Sequence, residues 1–210
     1  MSHVNSFAGV ILAAGESSRM GTDKALLPWP PRPPGAGSLE TFLSAAIRSL
    51  SLASDFVLVV AGKNEAALAP IAYANGASIV INPAPERGQF SSLQVGLREV
   101  LNRGRDTAMV TLVDRPPASA ATIQTLREAY ESAGRRTWAV VPEFSGKHGH
   151  PFIAGREMIE AFLHAPSTST ARDIEHEHQD NILYVAVSDP LVALNINNPE
   201  DYAALAGKLS

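Results

Sequence analysis

The chain is organised around the stretch Val10-Ile11-Leu12-Ala13-Ala14-Gly15-Glu16-Ser17-Ser18-Arg19-Met20-Gly21-Thr22-Asp23-Lys24. It begins with apolar, mostly β-branched residues, which predict a buried strand. The predicted strand ends where the side chains become small, at residues 13–15, and small residues let a ligand approach the backbone. Arg19 and Lys24 follow within the same stretch. A tight turn with exposed N–H groups and two cations suits a polyphosphate, so the stretch predicts a phosphate-binding loop.

Two common phosphate-binding motifs are absent from this stretch. It contains neither the P-loop pattern G-x-x-x-x-G-K-[ST] nor the dinucleotide fingerprint G-x-G-x-x-G. The string L-A-A-G-x-S-S-R-M-G-x-x-K instead resembles the signature loop of the nucleotidyltransferases. More narrowly, it resembles the MobA-like group, which includes molybdenum cofactor cytidylyltransferases and guanylyltransferases. The plain alternative is a strand and a turn followed by scattered surface charges, but so long a match is far more specific than a single glycine pattern.

The resemblance implies roles for individual residues of this loop. Arg19 and Lys24 would be catalytic, because they would offset the charge that develops on the transferred phosphate and on the leaving group. The nucleotide would be bound by a set of loop residues, namely Leu12, Ala13, Ala14, Gly15 and Ser17.

The composition argues against several classes of protein. The chain has 210 residues and no cysteine, which excludes disulfides and thiolate metal sites. Its 21 acidic and 17 basic residues give a formal charge of −4, and no basic run of the kind that follows nucleic acid is present. Residues 1–9 lack the pattern of a signal peptide, and the apolar runs are too short to span a bilayer. We therefore expect a cytoplasmic protein without nucleic-acid or membrane partners.

Apolar strands alternate with amphipathic helices along the chain. Residues 39–50 place apolar side chains at helical spacing, with Ser38 as the expected N-cap. Strands are predicted over residues 56–61 and 77–81, separated by a helix over 63–75. Further predicted strands are 108–113, 138–142, 182–187 and 191–196, and further predicted helices are 118–133, 156–164 and a last helix that opens at Asn198 and Pro199. This alternation favours βαβ crossovers and a mainly parallel sheet.

A loop with two prolines and a glycine precedes the predicted helix that carries Leu93. Ser91 or Ser92 is expected to cap this helix, and a helix start offers free N–H groups and hydroxyls that can read the polar edge of a base. The string N-P-x…G-x-x-S-S-L-x-x-G resembles the base-recognition segment of the cytidylyltransferases. The resemblance implies nucleotide binding by Asn82, Pro83, Gly88, Ser91 and Ser92. The alternative is an ordinary capped helix after a loop.

Asp114 follows the predicted strand 108–113 and so lies at the carboxyl end of the sheet, where open α/β sheets bind their ligands. A carboxylate there can hold Mg²⁺, which uses few protein ligands and keeps phosphate and water oxygens. Val113-Asp114-x-Pro116 resembles the metal-binding L-x-D-x-P of the family, in which the residue after the aspartate is commonly Met or Gln. Arg115 stands there instead, and its guanidinium can pair with Asp114, contact phosphate or point away.

Two later segments resemble family elements at the acceptor and metal sites. Gly149-His150-Pro151 resembles the G-H-P element near the acceptor, which implies that His150 binds the acceptor. The segment from Asn195 resembles the terminal [DN]-x-[DN]-T-P-E-D, which supplies a second metal ligand. This implies that Asn197, or else Asn195, is a metal ligand together with Asp114. Residues 166–173 carry hydroxyls where relatives usually have Gly-Asp-x-Gly-Ala, and this departure puts the pterin acceptor in doubt.

The resemblance covers residues 10–202 and implies a Rossmann-like three-layer α/β/α fold with a mainly parallel mixed sheet, of the nucleotide-diphospho-sugar transferase type, in one domain over 1–210. It implies a Mg²⁺-dependent enzyme that moves a nucleotidyl group from CTP or GTP to a phosphorylated acceptor, with molybdopterin favoured and pyrophosphate released. A molybdoenzyme is a candidate partner. Ala14 and the serine pair favour CTP, whereas Asn195-x-Asn197 resembles the guanylyl members. The alternatives are a sugar phosphate or methylerythritol phosphate as acceptor, and a nucleotide-binding module without turnover.

Overall fold

Eight strands hydrogen-bond into one mixed sheet in the computed structural model, which describes residues 6–15, 21–31, 40–166 and 168–206. The strands are β1 (Phe7–Leu12), β2 (Phe56–Ala61), β3 (Ser78–Ile81), β4 (Thr107–Leu112), β5 (Ala139–Phe144), β6 (Lys147–His148), β7 (Phe152–Ala154) and β8 (Ile182–Ala186). Their order is β3-β2-β1-β4-β7-β5-β6, and β8 pairs with β5. The pairs among β1 to β4 and the β5–β8 pair are parallel, whereas β7 is antiparallel to both of its neighbours. The predicted mainly parallel mixed sheet is confirmed.

Helices cover both faces of this sheet. They are α1 (Phe42–Ser51), α2 (Glu65–Ala74), α3 (Gln89–Asn102), α4 (Ala120–Ser132), α5 (Arg156–His164), α6 (Ala171–Glu177) and α7 (Pro199–Ala206). Alternate residues of β1 serve the two faces, since Phe7 and Ile11 pack with α1, α2 and α4 while Ala8, Val10 and Leu12 pack with α3, α5 and α6. Burial on both faces explains why the central strands are continuous apolar runs. The three-layer α/β/α fold is therefore confirmed, and the expectation of one domain stays a prediction.

The contact between α3 and the sheet is unusually close, and it positions the start of α3. A Cβ atom added at Gly96 would lie 2.8 Å from Val10 Cγ1 and 2.9 Å from Val60 Cγ2. The absent side chain therefore lets the helix rest directly on β1 and β2. As a result, the first turn of α3 lies beside the carboxyl ends of these two strands.

Two local predictions are wrong. The N-cap of α1 is Thr41, whose Oγ1 accepts a hydrogen bond from the Ser44 N–H at 3.1 Å, and Ser38 lies outside the described residues. Residues 191–196 do not form a strand, because the segment opens with a short 3₁₀ helix over Pro190–Ala193. Pro190 fixes its backbone and lacks a donor, and the Asp189 carboxylate accepts a hydrogen bond from the Leu191 N–H at 3.0 Å. Within the described ranges, no helix has the length and apolar character needed to cross a bilayer.

Candidate active site

The loops that follow β1 and β4 lie side by side. The two strands are parallel neighbours in which Leu12 is paired with Leu112, so they end together at the same edge of the sheet. The Val113 N–H donates to the Leu12 carbonyl at 3.0 Å, and the Ala13 N–H donates to the Val60 carbonyl at 2.9 Å. These bonds continue the sheet by one residue. Gly15 and Asp114 therefore emerge from it at the same edge.

Lys24 faces Asp114 across this edge. The Nζ of Lys24 lies 3.2 Å from Oδ2 of Asp114, and the two side chains are 15% and 26% exposed, so the ion pair is partly sheltered from water. Lys24 opens a short 3₁₀ helix whose cap is Asp23, because Asp23 Oδ1 accepts a hydrogen bond from the Ala25 N–H at 3.0 Å. Arg19 and Ser17, the other loop residues with predicted roles, lie outside the described residues.

Asn64 holds the two halves of the loop together. Its Nδ2 donates to the Ala13 carbonyl at 2.9 Å and to Asp23 Oδ2 at 2.6 Å, and its Oδ1 accepts from the Gly62 N–H at 3.1 Å. Asn64 thereby fixes the position of Lys24 relative to the end of β1. Sequence reasoning missed both Asn64 and Asp23, although Asn64 follows β2 at the same sheet edge and was in that respect detectable.

A first cavity of about 230 Å³ lies at this edge of the sheet. Seven residues with predicted nucleotide-binding, catalytic or metal roles line it: Leu12, Ala14, Gly15, Lys24, Gly88, Ser92 and Asp114. Pro85, Gln89, Leu112 and Val113 complete the described lining. Of the remaining predicted binding residues, Asn82 is buried behind the wall and Pro83 is exposed on the outside of the loop.

Asn82 organises the loop that leads into α3. Only 3% of its surface is exposed, and its Nδ2 donates to Ser91 Oγ at 2.8 Å and to Ser92 Oγ at 3.0 Å. Its Oδ1 accepts from the Ala84 N–H at 2.9 Å. The structure thus brings three of the predicted binding residues into one hydrogen-bonded cluster, in which Asn82 orients the two serine hydroxyls.

The predicted capping of α3 by Ser91 or Ser92 is wrong. The helix already begins at Gln89, and the residue before it is Gly88 with a φ of 92°, a backbone conformation that glycine adopts without strain. Ser91 lies inside the first turn, where its Oγ donates to the Gly88 carbonyl at 2.7 Å. No side chain caps this helix, and Gly88 at the cap position lines the first cavity.

Only one of the two carboxylate oxygens of Asp114 has a partner among the described residues. Oδ2 pairs with Lys24, whereas Oδ1 is buried and has no hydrogen-bond partner among the described residues. A buried carboxylate oxygen without a partner is costly unless a ligand satisfies it, and carboxylate oxygens suit Mg²⁺. The described ranges contain no cluster of three or more His, Asp or Glu that could hold a metal ion. The unpartnered Oδ1 of Asp114 is the observation that fits Mg²⁺.

The segment with Asn195 and Asn197 runs beside Asp114. The Ile196 N–H donates to the Asp114 backbone carbonyl at 2.9 Å. Asn195 Nδ2 donates to Asn197 Oδ1 at 3.0 Å, which makes the two amides neighbours. Neither amide belongs to the described lining of the first cavity, so a metal-bound arrangement needs one of them to turn. Their role as metal ligands stays a prediction.

Arg115 is turned toward the chain segment before Asn195. Its Nη1 donates to the Leu194 carbonyl at 2.9 Å, and its Nε is buried without a partner among the described residues. Burial lowers the pKa of Arg115, and the charge of Asp114 opposes this shift. Of the three orientations that the sequence left open, the structure has the guanidinium pointing away from the first cavity and holding the segment that carries the two asparagines.

His150 lies in a second, larger cavity of about 770 Å³. The two cavities share the residues Leu12, Gly88, Gln89 and Leu112 as a common wall. Burial and the charge of Arg115 together lower the pKa of His150 to about 3, although a hydrogen bond to the Val110 backbone opposes the shift. The imidazole is therefore neutral near pH 7. Its Nδ1 has no partner among the described residues and is free to accept a hydrogen bond from a ligand.

The rest of the second cavity is lined by residues that the sequence did not identify. They comprise the aromatic residues Phe90 and Phe152, the charged residues Arg87, Arg172 and Glu175, and the hydroxyl-bearing residues 168–170. The hydroxyls are those that stand where relatives usually carry glycines. The one available signal was this departure from the family pattern, which placed the segment near the acceptor without indicating the charged residues beside it.

Comparison with known proteins shows the same fold elsewhere, and relatives that match nearly the whole chain. A family model described as the MobA-like NTP transferase domain matches residues 9–182. The chain is 32% identical to the probable molybdenum cofactor guanylyltransferase of Rhodopirellula baltica, over 92% of the chain and 88% of that protein. It is 24% identical to the molybdenum cofactor cytidylyltransferase of Escherichia coli, over 92% of both proteins. Among solved structures, Rv0371c of Mycobacterium tuberculosis superposes with a TM-score of 0.78 at 26% identity, over 96% of the chain and 97% of that structure.

Proposed function

Because the chain belongs to the MobA-like NTP transferase family, we propose that it transfers a cytidylyl group from CTP to a phosphate of molybdopterin, releasing pyrophosphate. The chain is a nucleotidyltransferase of the MobA-like type. Relatives that match nearly its whole length are named as molybdenum cofactor guanylyltransferases or cytidylyltransferases. Family membership favours an enzyme over a nucleotide-binding module without turnover.

The observation that carries the proposal is the meeting of Lys24 and Asp114 at the mouth of the first cavity. The triphosphate lies along residues 13–15, where small side chains let its oxygens reach backbone N–H groups. The uncapped first turn of α3 adds N–H groups from the opposite wall. Lys24 and, in this proposal, Arg19 offset the negative charge that develops on the α-phosphate and the pyrophosphate.

We assign Mg²⁺ to Asp114. Members of this family generally use a divalent metal ion, and the spare buried Oδ1 of Asp114 supports its placement here. The amide oxygen of Asn197 or Asn195 would complete the protein ligands. When held there, the ion would neutralise part of the negative charge on the phosphates. Arg115 then serves the site indirectly, because its bond to the Leu194 carbonyl holds the asparagine segment next to Asp114.

The chain acts mainly through position and charge. A phosphate of the acceptor attacks the α-phosphorus of CTP, a P–O bond forms, and the bond to the departing pyrophosphate breaks. An ionised phosphate needs no general base to become nucleophilic, so no proton transfer by the protein is required. Holding both phosphates in line removes most of the entropic barrier, and fixed cations stabilise the charge that moves.

Selection of CTP over GTP is the finer part of the proposal. The Ala14 methyl group borders the first cavity at a position where the guanylyl members usually carry glycine, which supports CTP over GTP. Ser92 lines the same cavity, and Asn82 fixes its hydroxyl, so a preset polar group is available to a base. The opposing observation is the 32% identity to a guanylyltransferase, together with the Asn195-x-Asn197 pattern.

The acceptor is assigned to the second cavity. Its volume of about 770 Å³ is in the range that holds a cofactor-sized molecule, and it opens to the first cavity along a common wall. The unpartnered Nδ1 of His150 offers the bound molecule a hydrogen-bond acceptor beside the ring of Phe152. A sugar phosphate or methylerythritol phosphate is the alternative, and either would leave much of this cavity empty.

Release of pyrophosphate tests the proposal. The protein is incubated with Mg²⁺, with each of CTP, GTP, UTP and ATP, and with either molybdopterin or a sugar phosphate, and the product is identified by mass spectrometry. We expect pyrophosphate and a cytidine dinucleotide with CTP. A guanosine product would correct the base, and a product formed with a sugar phosphate but not with molybdopterin would correct the acceptor. Absence of product with every pair would refute nucleotidyl transfer to these acceptors.

A further inference from the structure

Glu175 carries an unpaired carboxylate at the far end of the second cavity. It is a partly buried residue on α6 that lines this cavity, and no hydrogen bond or ion pair to its carboxylate is found within the described part of the chain. Burial raises the pKa of Glu175, and the charge of Arg172 opposes this shift without closing to an ion pair. A partly buried carboxylate without a partner destabilises the folded chain unless a ligand completes it.

A third cavity of about 270 Å³ begins where the second ends. Arg172 and Glu175 line both, and the third cavity shares no described lining residue with the first. The three cavities therefore form a row. Lys24 and Asp114 lie at one end, His150 lies in the middle, and Glu175 marks the passage from the second cavity to the third.

The third cavity has a flat aromatic wall beside Glu175. The rings of His148 and Tyr184 are stacked with their centroids 4.1 Å apart and their planes 15° apart, and both line this cavity. Burial raises the pKa of Tyr184, and the charge of Glu175 adds to this, so the carboxylate lies close to the stack. A planar wall next to a hydrogen-bond acceptor suits a planar heterocycle that carries N–H donors along one edge.

We propose that Glu175 recognises the aminopyrimidinone edge of the acceptor's heterocycle, and so determines specificity at the end of the acceptor opposite the reacting phosphate. This inference rests on the proposed function, since the acceptor phosphate must reach the Lys24 end of the row. The remaining end of the acceptor is thereby directed along the second cavity toward Glu175. An aminopyrimidinone, such as that of a pterin, presents an exocyclic amino group and a ring N–H side by side. A carboxylate accepts one hydrogen bond from the amino group and one from the ring N–H, which gives a bidentate, charge-assisted pair.

Binding of two small heterocycles tests this assignment in the full-length protein, without nucleotide. Pterin carries the exocyclic amino group. In lumazine an oxygen replaces this group and would place a second hydrogen-bond acceptor against the carboxylate. We expect the wild-type protein to bind pterin at least about tenfold more tightly than lumazine, as measured by calorimetry. Glu175→Gln should reduce this preference to roughly twofold or less, because the charge and one acceptor atom are lost.

Glu177→Gln is the matched control, because Glu177 lies on the same helix, is exposed and lines none of the three cavities. Neither variant should lower the melting temperature, since Gln preserves the shape of Glu and carries no charge that burial would disfavour. The control should retain the pterin preference. The same preference in Glu175→Gln as in the wild type, or no preference in the wild type, would overturn the assignment.

Turnover measurements separate this inference from the proposed function. With molybdopterin as acceptor, Glu175→Gln should raise the acceptor KM at least about tenfold and leave the KM for CTP unchanged. If no transfer to molybdopterin occurs while the pterin preference depends on Glu175, the proposed function is wrong and the recognition site stands. If transfer occurs but Glu175→Gln changes neither the preference nor the acceptor KM, the recognition site is wrong and the function stands.

Discussion

Lys24 Nζ and Asp114 Oδ2 lie 3.2 Å apart although 90 positions separate the two residues in the chain. Parallel pairing of β1 with β4 creates this proximity, because it places the loop after each strand at the same edge of the sheet. In the absence of a nucleotide, each charge thus offsets the other within a partly sheltered site.

Removal of the Lys24 ammonium group should lower the catalytic rate and leave the fold intact. We expect Lys24→Ala to lower kcat by about 10²–10³, as for loss of one preorganised charge that stabilises a transition state. Pyrophosphate release under saturating CTP measures the effect. Arg98→Ala is the control, since Arg98 is exposed and lines neither of the first two cavities. Near-normal kcat in Lys24→Ala would exclude the residue from the mechanism.

Asp114→Asn should abolish the Mg²⁺-dependent activity. The amide keeps the shape of the side chain but carries no charge, so both the proposed metal ligand and the counter-ion of Lys24 are lost. A Mg²⁺ titration of initial rates measures this. Asp106→Asn removes an exposed carboxylate that pairs with Arg156 and should change nothing beyond small effects on stability. A wild-type Mg²⁺ response in Asp114→Asn would place the metal elsewhere.

Asn82→Ala should lower both the stability of the fold and the selectivity for CTP over GTP. It leaves the hydroxyls of Ser91 and Ser92 and the Ala84 N–H without their partner in a buried setting, which should lower the free energy of unfolding by about 1–3 kcal/mol. Urea denaturation measures this loss, and kcat/KM for CTP relative to GTP measures selectivity. In Asn102→Ala, which removes an exposed amide, both quantities should stay at wild-type values. Unchanged selectivity in a destabilised Asn82→Ala would limit Asn82 to a structural role.

His150 should make the fold sensitive to acid. Its pKa is lowered from 6.5 to about 3 by burial, so between these values the unfolded chain binds a proton that the folded chain excludes. The sign follows from linkage: this contribution leaves stability intact above about pH 6.5 and reduces it progressively as the pH falls toward 3. We expect the free energy of unfolding to fall less between pH 7 and pH 5 in His150→Asn than in the wild type. Equal falls in the two proteins would show that the imidazole is not buried in its neutral form.

Sequence reasoning predicted β1 to β5 and β8, most of the helices and the shared edge of Gly15 and Asp114, because these follow from local periodicity and from the geometry of parallel sheets. It missed the short strands β6 and β7. It misplaced the start of α3, because Gly88 can adopt a positive φ and begin the helix before the serines. It missed Asn64, although this residue follows β2 at the same edge of the sheet. It also missed Glu175, because the role of Glu175 arises from contacts between distant segments. Such contacts cannot be detected from residue spacing in a single sequence. The charged residues of the first loop and the Asn-Pro pair before the last helix can be detected in that way.

Under the proposed function, the common wall between the first two cavities separates the selection of the nucleotide from the selection of the acceptor. Evolution can then alter each selectivity without the other. Four residues form this wall, namely Leu12, Gly88, Gln89 and Leu112, and two of them belong to the ends of β1 and β4. Of the first two cavities, the loop over 82–92 borders both, whereas α6 and the residues before it border only the second. Under the proposed function, exchange of the α6 segment would therefore redirect such a protein to a new acceptor while its triphosphate chemistry is inherited unchanged.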